Sequence, residues 1–284
     1  MRRTIQEVLL QDAARLTEAL AIIPSSARIE IQCLLQQVLK VPRAWLLAHA
    51  EHYPNETEQT HYHELLQRRL RGEPVAYLLG EREFFGLMFK VTPAALIPRP
   101  ETELLVELAL SRIPQQGFCR VLDLGTGSGA IALTLAHARP DVEVLGCDAS
   151  NTALAVAHTN AEQLAIANAA FIHSDWFEAF TAQKFNIIVS NPPYIPAGDP
   201  HLTRGDVRFE PISALVSGSD GLHDIRHIAA HAPDYLESGG WLLLEHGYDQ
   251  AAQVRELLQQ AGFDVVFSAY DLAGIERASG GRIA

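Results

Sequence analysis

The chain has 284 residues, 48% of them hydrophobic and 20% charged, and its 34 Asp and Glu outnumber 22 Lys and Arg to leave a net charge of −12. That balance belongs to a soluble globular protein and excludes disorder, collagen and coiled coil. The length suits two domains, which together bury roughly three quarters of the surface that the unfolded chain exposes.

The acidity is uneven. Residues 1–80 carry nine basic and nine acidic side chains, so the whole excess lies in 81–284. A field of that sign repels phosphate backbones, which makes nucleic acid a disfavoured partner for the C-terminal part. Cys33, Cys119 and Cys147 sit among aliphatic residues with no C-x-x-C pair, as small buried hydrophobes do. Gln6, Glu7, Gln11 and Asp12 interrupt the N-terminal apolar residues before a signal-peptide core forms, and no segment approaches the ~20 apolar residues of a membrane span. The expectation is a cytoplasmic protein.

Along the chain, Thr4 to Glu7 fit a capping box, and Ile5, Val8, Leu9, Leu16, Leu20 and Ile23 recur at helical spacing up to Pro24. Ser25 or Ser26 can cap a second helix, Pro42 can open a third through Trp45 and Leu46, and a fourth runs from about Glu56 to Arg71. Residues 1–73 therefore read as a small helical domain. His49, His52, His61 and His63 read as surface residues around a loop.

Residues 74–100 read as a linker holding a β-hairpin in 81–91, after which Pro100 opens a helix with Glu101 and Glu103 near its positive end. From residue 119 strands and helices alternate: strands at 119–125, 142–148, 169–175, 185–194, 239–247 and 264–273, with helices at 131–138, 152–164, near 222–236 and 250–261, and a last short segment. Near-continuous apolar strands separated by helices predict an α/β domain over 101–284, a doubly wound and mostly parallel sheet covered on both faces. Ligands bind such sheets beyond the C-terminal ends of the strands.

Three motifs fall at such ends. Gly125-Thr126-Gly127-Ser128-Gly129 follows a strand and opens a helix, where glycine lets the backbone approach a ligand. Because Gly125-x-Gly127-x-x-Ala130 also satisfies the dinucleotide fingerprint, this turn alone does not separate a nicotinamide cofactor from S-adenosylmethionine. Asp148 ends the next strand, nineteen residues past Gly129, where a carboxylate accepts hydrogen bonds from ribose hydroxyls. Asp175 and Trp176 then offer an acceptor for an exocyclic amine and a ring face for stacking. The third motif is Asn191-Pro192-Pro193-Tyr194. Two prolines fix the backbone, so the Asn191 side chain and the Pro192 carbonyl are two acceptors aimed at one place, suited to a planar NH2 group, while Tyr194 packs on its face.

This combination resembles the class I S-adenosylmethionine-dependent methyltransferases that modify planar amino groups. Within them NPPY occurs both in protein-glutamine N5 methyltransferases and in enzymes that methylate the adenine N6 amine of nucleic acid. The segments 73–87, 97–107, 206–211 and 271–277 are similar to the peptide-chain release factor glutamine methyltransferases. The resemblance implies a seven-stranded sheet, S-adenosyl-L-methionine as cofactor, and transfer of its methyl group to the glutamine of the Gly-Gly-Gln loop of release factors. It implies an N-terminal helical domain that docks the substrate protein, and a monomer with no direct nucleic-acid or membrane contact. Cofactor contacts would lie at Gly125, Thr126, Gly127, Ser128, Gly129, Asp148, Trp176 and Asn191. Asn191, Pro192, Pro193 and Tyr194 would bind the glutamine, with Asn191, Pro192 and Tyr194 catalytic.

Two features stay outside this reading. His223, His227 and His231 share a helix face without a carboxylate or thiolate clearly placed beside them, so no metal is expected. The segment 195–218, rich in proline and glycine, reads as a lid or substrate loop in which Arg208 and Glu210 have no evident role.

Overall fold

A computed structural model describes residues 2–284. The chain divides into two compact units, one running to Glu81 and including Thr203–Phe209, the other formed by Arg82–Leu202 and Glu210–Ala284.

The first unit is helical: α1 (Ile5–Leu20), α2 (Pro24–Leu39), α3 (Arg43–Ala48), α4 (Glu56–Leu70) and α5 (Val75–Leu79). The capping box of α1 forms as expected, with Thr4 Oγ1 accepting from the Glu7 amide at 3.2 Å and Glu7 Oε2 accepting from the Thr4 amide at 2.7 Å. A second capping box, Asn55 with Glu58, opens α4. The start of α2 differs from expectation: the helix begins at Pro24, ahead of Ser25 and Ser26, and no side chain caps it. Proline supplies helical φ in advance and has no amide hydrogen to satisfy, so the first turn needs no serine. Leu16, Ile31, Leu34, Leu35, Leu46 and Leu66 form the core of the unit.

Two polar clusters sit within this apolar packing. Asp12 is fully buried and accepts from Arg3 at 2.8 Å, Arg15 at 3.0 Å and the Tyr62 hydroxyl at 3.0 Å. Burial and the Asp12 charge push the Tyr62 phenol well above its ordinary range, so it donates as a neutral group. Arg69, 3% exposed, holds Glu30 at 2.7 Å, the Gly72 and Glu73 carbonyls, and Asp206 at 3.0 Å. Arg208 donates to the Arg71 carbonyl at 2.8 Å, and a Cβ on Gly72 would lie 1.7 Å from its guanidinium. Asp206 and Arg208 thereby tie residues 203–209, which come from the long segment after the fourth sheet strand, into the helical unit.

The second unit opens with a hairpin, β1 (Glu81–Phe84) and β2 (Leu87–Lys90), whose Phe84 and Phe89 are buried against α6 (Glu103–Leu110) and α7 (Ala130–Ala138). Pro100–Thr102 form a 3-10 turn ahead of α6 where a regular helix start is expected, and Glu103 accepts from the Phe85 amide at 2.9 Å. The sheet contains β3 (Arg120–Leu124), β4 (Glu143–Asp148), β5 (Ala169–His173), β6 (Phe185–Ser190), β7 (Leu236–Glu245), β8 (Asp264–Tyr270) and β9 (Glu276–Arg282), in the order β5-β4-β3-β6-β7-β9-β8. The first five strands in that order pair parallel, whereas β9 runs antiparallel to β7 and β8. This is the doubly wound methyltransferase-type sheet expected from the sequence. The last short segment is the strand inserted before β8. Its Gly280 is needed for space, since a Cβ there would lie 2.6 Å from Leu243. Helices α8 (Asn151–Gln163), α9 (His223–His231) and α10 (Ala251–Gln260) complete the two covered faces, one core built on Leu105, Leu133 and Val189, the other on Leu122, Ile188 and Ile225. No helix among the described residues is long and apolar enough to cross a membrane.

Removing the buried charge that three groups share tests the helical packing. Asp12→Ala strands the Tyr62 hydroxyl and is expected to lower stability by about 3 kcal/mol, the lower end for breaking a buried pair because Arg3 and Arg15 still reach water. Chemical denaturation of both proteins measures it.

Candidate active site

The parallel strands end together, and the turns beyond them enclose a cavity of about 530 Å³, within the range of small-molecule sites. Gly125, Thr126, Gly127, Ser128, Asp148, Asp175, Trp176, Asn191 and Pro193 line it, so the structure brings the glycine turn, the strand-end acid and the NPPY segment to one place. Pro192 and Tyr194 lie in the same segment but are absent from the cavity wall. Gly129 serves as N-cap of α7 and is absent from the cavity wall.

The shape of the glycine turn follows from its backbone. Gly125, Gly127 and Gly129 have φ of 70°, 58° and 81°, a region that side chains with a Cβ rarely enter. The turn is held from below by the Thr126 amide, which donates to the Cys147 carbonyl at 2.9 Å, and by Asp123. Asp123 is fully buried and accepts from Thr126 Oγ1 at 2.6 Å and from the Ala132 amide at 3.2 Å, while its other oxygen has no partner. Burial pushes its carboxyl up to about 7, against the pull of those two hydrogen bonds. Asp123 has no role assigned from sequence; a lone acid among the apolar residues just before a glycine turn is the available signal.

Asp148 ends β4 as expected and does more than face a ligand. Its two oxygens accept from the Gly127 amide at 2.9 Å and the Ser150 amide at 2.8 Å, which fixes the glycine turn and the carboxylate together. Burial raises its pKa and the two amides lower it. Ser150 caps α8 by accepting from Ala153, so Asp148 is not needed as the cap. Trp176 adopts φ of 43° and presents its ring edge to Gly125, 3.6 Å from where a Cβ would sit. A turn of amides, an adjacent carboxylate and an aromatic wall fit an adenosine-containing cofactor: acceptors for ribose hydroxyls and a ring to cover the base.

At the other end of the cavity, Asn191 Nδ2 donates to Thr102 Oγ1 at 3.1 Å, which leaves Oδ1 as its free acceptor. The Tyr194 hydroxyl donates to Glu245 Oε1 at 3.4 Å, and burial, then the Glu245 charge, keeps that phenol neutral well above its ordinary range. The Tyr194 carbonyl accepts from Gln250 at 3.0 Å, and Ser190 Oγ donates to the Leu124 carbonyl at 2.7 Å. Arg99, also on the cavity wall, pairs with the buried Glu210, which gives Glu210 a place at the site that its sequence context did not reveal. Thr102, Arg99 and Glu245 were missed because each acts through a partner at least 50 residues away. The His227 and His231 rings lie 4.3 Å apart on α9, and among the described residues no three His, Cys, Asp or Glu side chains are grouped to hold a metal ion.

Comparisons with known proteins bear on the family and the fold. Residues 7–80 match the PrmC N-terminal domain family and residues 101–203 the Methyltransferase small domain family. The release factor glutamine methyltransferase of Salmonella typhimurium is 50% identical, covering 90% of this chain and 92% of its own. That of Neisseria gonorrhoeae is 52% identical, covering 90% and 93%. A 16S rRNA methyltransferase of T. thermophilus, solved with AdoMet and guanosine, shares the fold with a TM-score of 0.53 at 24% identity over 72% of this chain and 50% of that one.

Two measurements check the cofactor end. Asp148→Ala removes a charged acceptor and is expected to weaken S-adenosylmethionine binding about ten- to a hundredfold by calorimetry, from about 1.5–3 kcal/mol per such bond. For Asp123, folding raises the pKa from 3.8 to about 7, so the folded chain holds this proton more tightly than the unfolded one. Its contribution to stability is complete below about pH 4 and is lost as pH rises through about 7. Asp123→Asn is expected to reduce the fall of stability across that window by up to about 1.4 kcal/mol per pH unit, read from denaturation midpoints at several pH values.

Proposed function

The chain belongs to the release factor glutamine methyltransferase family, and from that premise we propose how its own residues carry out methyl transfer to the side-chain amide nitrogen N5 of a release factor glutamine. It is an S-adenosyl-L-methionine-dependent protein-glutamine methyltransferase. When bound, the cofactor supplies a methyl group activated by its attachment to a positively charged sulfur.

Gly125 to Ser128, Asp148, Asp175 and Trp176 would hold the adenosine end, Asp148 accepting from the ribose and Trp176 covering the base. Asn191 Oδ1 and the Pro192 carbonyl accept the two hydrogens of the glutamine NH2, and Pro193 and Tyr194 pack on its plane. An amide nitrogen is a poor nucleophile because its lone pair is shared with the carbonyl. Two fixed acceptors turn that lone pair toward the methyl carbon and stabilise the positive charge that builds on nitrogen as the new C–N bond forms and the C–S bond breaks. The methylated nitrogen is acidic and gives its proton to water, so no side chain is required as general base. The observation that carries this reading is the orientation of Asn191, whose Nδ2 is engaged by Thr102 and whose Oδ1 is left to receive a donor.

The helical unit, neutral where the catalytic unit is acidic, is the docking surface for the release factor, whose Gly-Gly-Gln loop is narrow enough to enter the cavity. The protein works as a cytoplasmic monomer, free of nucleic acid and membrane. The excess of 12 negative charges in 81–284 supports this over the adenine amine as substrate.

Incubation with methyl-labelled S-adenosylmethionine and either release factor or DNA, followed by mass spectrometry, is expected to place the label on the glutamine. Label on DNA with none on the glutamine overturns the reading. Asn191→Ala is expected to lower kcat about a hundredfold or more, as loss of one oriented transition-state partner does, while cofactor affinity changes only a few-fold.

A further inference from the structure

The Asn191–Tyr194 segment contains two peptide units that no backbone amide can hold, because Pro192 and Pro193 have no N–H. A proline ring fixes φ but not ψ, so the direction of the Pro192 carbonyl is settled only when the chain is held on both sides. Upstream, Ser190 pairs with β3 and β7, and Asn191 Nδ2 donates to Thr102. Resting on the proposed function above, we propose that Gln250 is the positioning residue that holds the downstream side, and that it thereby keeps the Pro192 carbonyl and Asn191 Oδ1 converged on the substrate amide.

Gln250 is the N-cap residue of α10 and is 6% exposed. Its side chain meets three backbone groups. Oε1 accepts from the Gly247 amide at 2.8 Å, while Nε2 donates to the Tyr194 carbonyl at 3.0 Å and to the Gly221 carbonyl at 3.4 Å. These partners dictate which way the side-chain amide faces: an N–H only donates and a carbonyl only accepts, so the oxygen must face Gly247 and the NH2 the two carbonyls. Glutamine satisfies all three from one planar group. A carboxylate would set an oxygen against two carbonyl oxygens, and an apolar side chain would leave all three without this partner.

The three groups come from different parts of the chain. Gly247 lies in the turn that leaves β7, Tyr194 closes the NPPY segment, and Gly221 lies where the chain returns from the long 195–218 segment ahead of α9. That segment is drawn together at its neck: the Ile195 amide donates to the Leu215 carbonyl at 2.8 Å, the Ser217 amide to the Ile195 carbonyl at 3.0 Å, and the Ala197 amide to the Gly218 carbonyl at 2.7 Å. Gln250 joins both sides of the neck, through Tyr194 on the outgoing side and Gly221 on the returning one. Space there is tight. Gly221 has φ of 75°, and a Cβ on it would lie 2.3 Å from the Tyr194 carbonyl oxygen and 2.7 Å from Gln250 Nε2. The neck also carries cavity wall, since Ser213, Ala214 and Val216 line the cavity together with Asn191 and Pro193.

The two acceptors for the glutamine NH2 stand on either side of the Asn191–Pro192 bond, and a misplacement of about 1 Å in such an arrangement can cost about a hundredfold in rate. The glycine turn is held separately, by the Cys147 carbonyl and by Asp148. Loss of Gln250 therefore strikes the chemical step and spares the cofactor end.

The test measures kcat and KM for release factor, S-adenosylmethionine affinity by calorimetry and melting temperature in the full-length wild type, Gln250→Met, Gly221→Ala, the double variant, and Gln253→Glu at an exposed position of α10. Gln250→Met keeps the reach of the side chain without its polar atoms and is expected to lower kcat about thirtyfold, with KM and cofactor affinity within about threefold of wild type. Gly221→Ala presses on the same carbonyl from the other side and is expected to lower kcat about tenfold. Because both act on one group, the double variant is expected within about threefold of the more impaired single variant. Gln253→Glu keeps the wild-type kcat. The two single variants reach the Tyr194 carbonyl independently, so either one decides where the other does not fold. A Gln250→Met or Gly221→Ala enzyme with wild-type kcat, a loss that appears in KM or cofactor affinity instead of kcat, a double variant whose loss is the product of the two singles, or a Gln253→Glu enzyme as impaired as Gln250→Met overturns the proposal. Failure of the wild type itself to label the glutamine overturns the underlying function instead.

Discussion

Proline has no amide hydrogen, and the two prolines that follow Asn191 end the pairing of β6 at Ser190, in the middle of the sheet. The neighbouring strands β3 and β7 end at the same level, so the backbone beyond them is free of the ladder and the space above is open. The cavity follows from that shared end. Its floor is made of backbone carbonyls and amides that still have partners, such as Leu124 with Ser190 and Cys147 with Thr126, and its walls are the turns that leave the strands. The rigidity that the prolines bring to Asn191 is useful only because the strand beneath is held on both sides.

Acidic groups of three kinds serve the site, and environment separates them. Asp148 lines the cavity and receives two backbone amides, which oppose the upward pull of burial on its carboxyl. Asp123 lies beneath the glycine turn, cut off from water with one oxygen unpaired, and shifts toward neutrality. Glu245 is as deeply buried, also with one oxygen unpaired, and shifts up to about 7 although the Tyr194 hydroxyl and Arg277 oppose the rise. Identical carboxyl chemistry thus shapes a loop, faces a ligand and anchors a tyrosine, according to how far each group is removed from water.

The segment after the NPPY residues belongs to two structural units in turn. Glu210 pairs with Arg99 on the cavity wall, while Asp206 and Arg208 are bound to Arg69 and Arg71 in the helical unit. A proline- and glycine-rich sequence leaves such a segment with only short 3-10 turns of its own, so its position is set by the two ion pairs and the hydrogen bond from Arg208 to the Arg71 carbonyl.

The alternation of apolar strands with helices, the glycine turn, Asp148 at a strand end and the NPPY segment were all legible in the sequence, because each is encoded by residues close together in the chain. Glycine and proline constrain the backbone locally, and strand and helix periods are short. What the tertiary structure alone decided is who meets whom. That the closing segment Glu276–Arg282 inserts before β8 depends on Gly280 fitting against Leu243 and Gly281 against Phe263. The start of α2 at Pro24 was decided by a competition between two adequate first turns. Thr102 and Glu245 carry no local mark, and their tie to Asn191 and Tyr194 spans 89 and 51 residues. Hydrogen-bond direction is a property of a filled three-dimensional network, and a linear sequence contains its members without the geometry that orders them.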